Sequence, residues 1–227
     1  MAFVSNSDSI ARAAMGLVDP TLVERYGLLV KFLSAFPDVA SAMRGTSAPP
    51  IGSKSYIESQ ATAFANSRMP RSPQAPATVP DEMVSVILHE YFKIPAADLE
   101  RAKKEHLLSM GAENLVGDLL ERYIASVLEP RGWIWCSGSM VKAVDFIKPP
   151  SQAGSVWLTL QVKNRDNSEN SSSSAIRNGT DIEKWFRTFS KKIGANWAAF
   201  PDSALRQYLS EAGFKTYVRE YLHSLRT

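Results

Sequence analysis

One cysteine, Cys136, stands alone in 227 residues, which excludes an internal disulfide and leaves too few thiolates for a structural zinc site. The three histidines, His89, His106 and His223, are scattered with no two at ligand spacing. Zinc chemistry is therefore not expected, and any metal would be held by oxygen donors. No apolar run approaches the roughly 20 residues that span a bilayer, and the N-terminus lacks a charged-then-apolar leader. A cytoplasmic protein is the expectation. What is present is ordinary for a chain with a real core, at 44% hydrophobic and 22% charged residues.

The net charge of +3 is unevenly spread. Residues 1–130 carry 12 Lys and Arg against 15 Asp and Glu, whereas residues 131–227 carry 14 against 8. A basic C-terminal part suits a polyanionic partner, although many basic surfaces are merely solvated.

Composition shifts sharply once. Six of the 13 prolines fall between about residue 45 and residue 80, and this stretch reads as a long loop or linker. A tether is favoured; the alternative is an arm that wraps a partner through Arg68 and Arg71. Ahead of it, Asp19-Pro20 opens a helix, and beyond it Pro80-Asp81 opens another, with a third over about 96–109. The expected organisation is a helical region over 1–110 and an α/β core over 111–227. In that core, residues 113–129 place Leu115, Leu119, Leu120, Tyr123, Ile124 and Leu128 on one side of a helix. Strands are expected over 133–136, 141–147 and 156–163. A polar loop over 164–180, a helix over about 181–193, a short apolar run at 196–201 and two more helices complete the reading. The expected sheet is mixed and flanked by helices.

The chemistry concentrates on the third strand, VWLTLQVK. Alternation puts Leu158, Leu160 and Val162 on one face and Thr159, Gln161 and Lys163 on the other. A lysine at the end of an otherwise core strand costs burial energy unless it has a partner or water. Asp145, inside the apolar segment AVDFI, is equally awkward. Antiparallel neighbours would bring Asp145 beside Gln161 and Lys163. A purely structural Asp145–Lys163 ion pair is the plain alternative.

An acidic residue in one strand and Gln-x-Lys in the next, after a helix reading GDLLERYIASVLEPRGW, resembles the PD-(D/E)xK nuclease superfamily. The longer stretch LQVKNRDNSENSSSSAIRNGTDIEKWFR resembles type II restriction endonucleases of the SinI kind, which cut GGWCC-type sites. The resemblance is strongest over residues 111–200. It implies Mg²⁺-dependent hydrolysis of double-stranded DNA at a short palindrome, and so a homodimer, with a cognate DNA methyltransferase in the host. It gives Asp145 the role of Mg²⁺ ligand and Lys163 that of orienting or helping to deprotonate the attacking water. Gln161 fills the position usually held by a second carboxylate. Glu121 on the preceding helix supplies the missing charge, with Glu113 as the competing candidate; the amide oxygen of Gln161 and the carbonyl of Val162 complete the oxygen shell. Val144 stands where the motif name has proline.

The loop beyond Lys163 is placed to enter a DNA groove. Arg165 and Arg177 suit guanine, while Asn164, Asn167, Ser168, Asn170 and Ser172 suit base edges or phosphates. Lys184, Arg187, Lys191 and Lys192 are expected on the next helix, facing phosphates. Competing readings are a repair or junction nuclease of the same fold, a non-catalytic DNA-binding module suggested by Gln161, and a helical adaptor. The adaptor leaves Asp145 and Lys163 unexplained.

Overall fold

In a computed structural model, the structure describes residues 2–152, 155–166 and 182–226. Asp145, Gln161 and Lys163 belong to a four-stranded mixed sheet in the order β1-β2-β3-β4, with β1 at Ile134–Trp135, β2 at Phe146–Lys148, β3 at Leu158–Arg165 and β4 at Ile182–Thr188. The first three strands run antiparallel in turn, and β4 lies parallel to β3.

Alternation along the strands sends side chains to two separate cores, one on each face of the sheet. Ile134, Cys136, Val144 and Ile147 pack under helices α1 (Ser7–Val18), α2 (Val23–Ala35) and α3 (Lys54–Asn66). Trp133, Trp135, Phe146, Leu160, Val162 and Trp185 pack under α5 (Leu99–Leu128) and α6 (Glu211–Ser224). A shorter helix, α4 (Glu82–Glu90), stands beside the first half of α5.

Four expectations are corrected. The proline-rich stretch is not one loop, because α3 occupies its proline-free middle. There Ser53 caps the helix by accepting from the Tyr56 amide at 3.2 Å, and Tyr56, Ile57, Ala61 and Phe64 are buried at helical spacing. The division expected near residue 110 falls inside α5, which runs unbroken through Gly111. Glycine is required there for packing rather than as a break: a Cβ would lie 2.6 Å from the carbonyl oxygen of Gln74, where the 70–80 strap crosses the helix. The segment expected as a helix over 181–193 is instead strand β4. Its Ile, Trp, Phe and Thr residues suit a pleated surface, and β3 offers it a complete parallel ladder from Thr159 to Arg165. Lys184 and Arg187 are therefore strand residues. Finally, the 196–201 run forms a short 3₁₀ turn at Trp197–Ala199, and α6 is the sole α-helix among the described residues that follow.

Arg122 fastens the strap to the body. Its side chain is 6% exposed and pairs with Asp118 at 2.7 Å. It also donates to the carbonyl oxygens of Ser67, Arg68 and Met69 at 2.8–2.9 Å. Removing a buried, fully bonded charge strands its partners, at a cost of about 3–5 kcal/mol. Arg122→Ala is expected to lose that much in urea unfolding, with an unchanged m-value; a loss under 1 kcal/mol would show the strap to be held by other contacts.

Candidate active site

Asp145 stands one residue ahead of β2, held by its main chain on both sides. Its amide donates to the Leu160 carbonyl at 2.9 Å, and its own carbonyl accepts from the Cys136 amide at 2.8 Å. The β2–β3 register pairs Phe146 with Leu160, which sets Asp145 opposite Gln161. Its carboxylate Oδ2 accepts from the Val162 amide at 2.6 Å. That short, charge-assisted bond answers what the anomalous aspartate does in an apolar segment. Among the described residues no ion pair joins Asp145 to Lys163, so the simple structural pairing is not what holds either. Lys163 is exposed at the end of β3, two residues beyond the buried Gln161 and on the same face. Its positive charge still reaches the two acidic groups, favouring the ionised form of both.

The second acidic group is Glu121. The buried half of α5 lies on the sheet through Leu119, Leu120, Tyr123 and Ile124, and this turns Glu121 toward β1. There its Oε2 accepts from the indole Nε1 of Trp135 at 3.0 Å. Burial, and next the negative charge of Asp145, push its carboxyl up to about 8, against the Trp135 hydrogen bond and Lys163. Asp145 is pushed up to about 6 by burial, opposed by the Val162 amide and by Lys163. Two buried carboxyls with raised proton affinity, the charge of Asp145 adding to the effect on Glu121, form the electrostatic pattern of a functional site. Glu113 lies exposed two turns earlier on α5, and because that helix starts at Leu99, Glu113 is not in its first turn.

The remaining expected residues divide. Arg165 is exposed at the end of β3, and Lys184 is exposed on β4 beside Gln161 in the register. Asn164 and Arg187 are turned inward. Arg187 donates to Asn164 Oδ1 at 3.0 Å and to Glu211 at 2.7 Å, and its guanidinium lies over the Phe214 ring. These two residues tie β3 and β4 to α6 instead of presenting themselves to a ligand. Asn167, Ser168, Asn170, Ser172 and Arg177 lie outside the described residues.

Two features were missed. Trp135 grips Glu121, a contact that only the α5–β1 packing creates. The loop after β4 emerges beside the end of β3, because the strands are parallel, and Asp166 accepts from the Ser190 amide at 2.6 Å to join them. That loop presents Lys191, Lys192 and a fully exposed Ile193 near Lys163 and Arg165. Placing 181–193 on a helix concealed this juxtaposition.

A helix carboxylate, a strand-start carboxylate and a lysine near the end of β3 thus lie beside a basic loop, an oxygen-donor set next to cations. The chain belongs to the SinI restriction endonuclease family, whose model matches residues 7–224. It is 50% identical to the type II restriction enzyme Eco47I of Escherichia coli over 221 residues, 97% of this chain and 96% of that one. It is 49% identical to the type II restriction enzyme SinI of Salmonella infantis over 225 residues, 99% and 97% of the two chains.

Because both carboxyls bind protons more tightly when folded than the ordinary carboxylate does, folding takes up protons. The associated penalty is absent below about pH 4, grows from there as pH rises, with the Asp145 share complete by about 6, and is complete above about pH 8. Chelator-treated protein is expected to melt lower near pH 8.5 than near pH 5.5 by more than Glu121→Gln/Asp145→Asn does. Calorimetry of both proteins across that range checks the difference, and parallel profiles would refute the shared field.

Proposed function

We propose that this restriction endonuclease hydrolyses phosphodiester bonds in both strands of DNA at a short, GC-rich palindrome of the GGWCC type, using Mg²⁺. The observation that carries the reading is the convergence of Glu121 and Asp145 at the β3 edge, with Lys163 on the strand whose amide anchors Asp145.

The donor set fits a hard cation. Among the described residues no three His, Cys, Asp or Glu side chains cluster as a metal cage. The set here is two carboxylates supplemented by the Gln161 amide oxygen and the Val162 carbonyl, all oxygen. Mg²⁺ keeps several of its waters and takes one or two protein carboxylates, so a full cage is not required. Bound there, Mg²⁺ would neutralise charge developing on the scissile phosphate and favour ionisation of a bound water. Asp145, with one carboxylate oxygen committed to the Val162 amide, would hold the cation through the other. Trp135 holds one oxygen of Glu121 in the same way. Lys163 holds the attacking water and the phosphate oxygen by donating hydrogen bonds from its ammonium. Its exposed position leaves it open to DNA.

Arg165, Lys191 and Lys192 lie at one end of the sheet, with Lys184 further back on β4 beside Gln161, and all suit phosphates. A palindromic target calls for a two-fold protein, hence a homodimer, and a host methyltransferase would protect the same site. No described helix is long and apolar enough to cross a membrane.

Digestion of a long phage DNA with Mg²⁺, beside Lys163→Ala, tests the reading. Discrete bands are expected, weakened by about 10²–10⁴-fold in the variant; end-sequencing then gives the site. A smear would sink the site-specific reading. Gln161, a neutral amide at a position suited to a carboxylate, favours one other reading, a DNA-binding module without catalysis. Intact DNA together with gel shift, and no heat stabilisation by Mg²⁺, would select it. For the basic loop, Lys191→Ala/Lys192→Ala, which removes four lysines from a homodimer, is expected to flatten the dependence of log K on log salt by roughly 4. An unchanged slope would remove the loop from the interface.

A further inference from the structure

The hairpin formed by α4 and the first half of α5 carries no core of its own. α4 reads EMVSVILHE, with five apolar residues, and none of its residues is buried. A nine-residue helix is too short to persist in water by itself. Its apolar side chains have α5 and, through Thr78 and Pro80, the end of the strap beside them, and much of what they present faces outward. Val86, Ile87, Tyr91 and Phe92 are 47–78% exposed, and on α5 Leu108 and Met110 are 55% and 37% exposed. Including Val79, Met83 and Val84, nine large apolar side chains lie open between residues 79 and 110. At about 100 Å² each they reach the roughly 800 Å² that one partner contributes to a standard interface, well beyond the apolar patches that monomers ordinarily expose.

The patch is shaped to receive itself. Between the two helices runs an apolar groove of about 420 Å³, lined by Val84, Leu88, Leu107 and Met110. At its end the rings of Tyr91 and Phe92 stand out, edge to face, 5.1 Å apart. Groove and knobs on one hairpin are what an isologous two-fold contact needs, since each copy offers both. Residues 81–90 carry Asp81, Glu82 and Glu90 and no Lys or Arg, while the start of α5 is mixed, Lys103 pairing with Glu100 and Arg101 with Asp98 and Glu105.

We propose that this hairpin is the face on which a second copy of the chain docks, forming an intermolecular four-helix contact. The proposal rests on the reading of a two-fold nuclease only for its functional meaning, and there it adds a positioning role. Leu108 and Glu121 lie on one continuous helix, 13 residues apart, or about 20 Å along its axis. Docking at one end of α5 therefore sets the spacing between the two copies of the site at the other end, as cutting two strands of one duplex requires.

The test is molar mass by light scattering at micromolar concentration for the full chain and for Ile87→Glu/Tyr91→Lys, with circular dichroism confirming the helices. Wild type is expected at twice 25.0 kDa and the variant at 25.0 kDa. A variant that loses its helical signal is replaced by Ile87→Ser/Tyr91→Ser, expected to show the same halving. A monomeric wild type, or a dimer that survives both substitutions, overturns the proposal. DNA digestion is read separately. A monomer that cuts at discrete sites overturns the interface and leaves the nuclease reading intact. A dimer that is split by the substitutions but cuts nothing upholds the interface and overturns the nuclease reading.

Discussion

The hydrogen bond from the Val162 amide to the Asp145 carboxylate is the contact on which the site depends. Side-chain period in a sheet is two, so a one-residue slip between β2 and β3 would turn Gln161 and Lys163 into the core occupied by Leu160 and Val162. The Asp145 main chain reinforces the same register by bonding to Leu160 on one side and Cys136 on the other. One carboxylate thus sets the strand alignment and marks the point where Glu121 and Lys163 converge. Because the partner is an amide rather than a lysine, the Lys163 side chain stays exposed to solvent.

Holding two carboxyls with raised proton affinity side by side costs stability, and the surrounding architecture offsets it. The sheet is covered on both faces, by α1–α3 and by α5 with α6. The site is rimmed by two arginines, Arg68 and Arg122, whose terminal guanidinium nitrogens are held by several partners. Arg68 makes a two-point contact with Glu129 at 2.8 and 3.0 Å and also donates to the Trp135 carbonyl. Arg122 holds the strap from the other side. Trp135 is the joint between these systems: its indole N–H serves Glu121, its carbonyl serves Arg68, and both guanidiniums lie within 5.2 Å of its ring. The rigidity needed to hold the acidic pair is built from cation–aromatic and bidentate contacts, which tolerate partial exposure better than a lone buried charge.

The parts of this arrangement readable in the sequence were those carried by local pattern. Alternation in VWLTLQVK placed Gln161 and Lys163 together, and the apolar stripe of residues 113–129 placed Glu121 at its border. Asp145 stood out as a carboxylate in an apolar segment. What was not readable depended on distant partners. β4 has no strict alternation because it is an edge strand with a single buried residue, Trp185, and becomes a strand only by pairing with β3. α3 was hidden by its proline-rich flanks, although Ile57, Ala61 and Phe64 already had helical spacing. Arg187 looked like a surface cation because nothing local announces Glu211 and Phe214, brought to it by α6.

α5 shows how a folded half can sustain an exposed one. Its C-terminal part is anchored by Leu115, Leu119, Leu120, Ile124 and Leu128, so the costly first turn of helix formation is supplied by packing. From there the helix propagates outward through residues that bury almost nothing, with ion pairs such as Lys103–Glu100 and Arg101–Glu105 adding a few tenths of a kcal/mol each. Such pairs keep an exposed helix in being, but they give no reason for apolar residues to line it. Solvent alone would favour polar groups at Ile87, Tyr91, Phe92 and Leu108. The same continuous helix that delivers Glu121 to the sheet therefore begins in an apolar surface, so that whatever covers that surface is tied to the carboxylate pair through one rigid element.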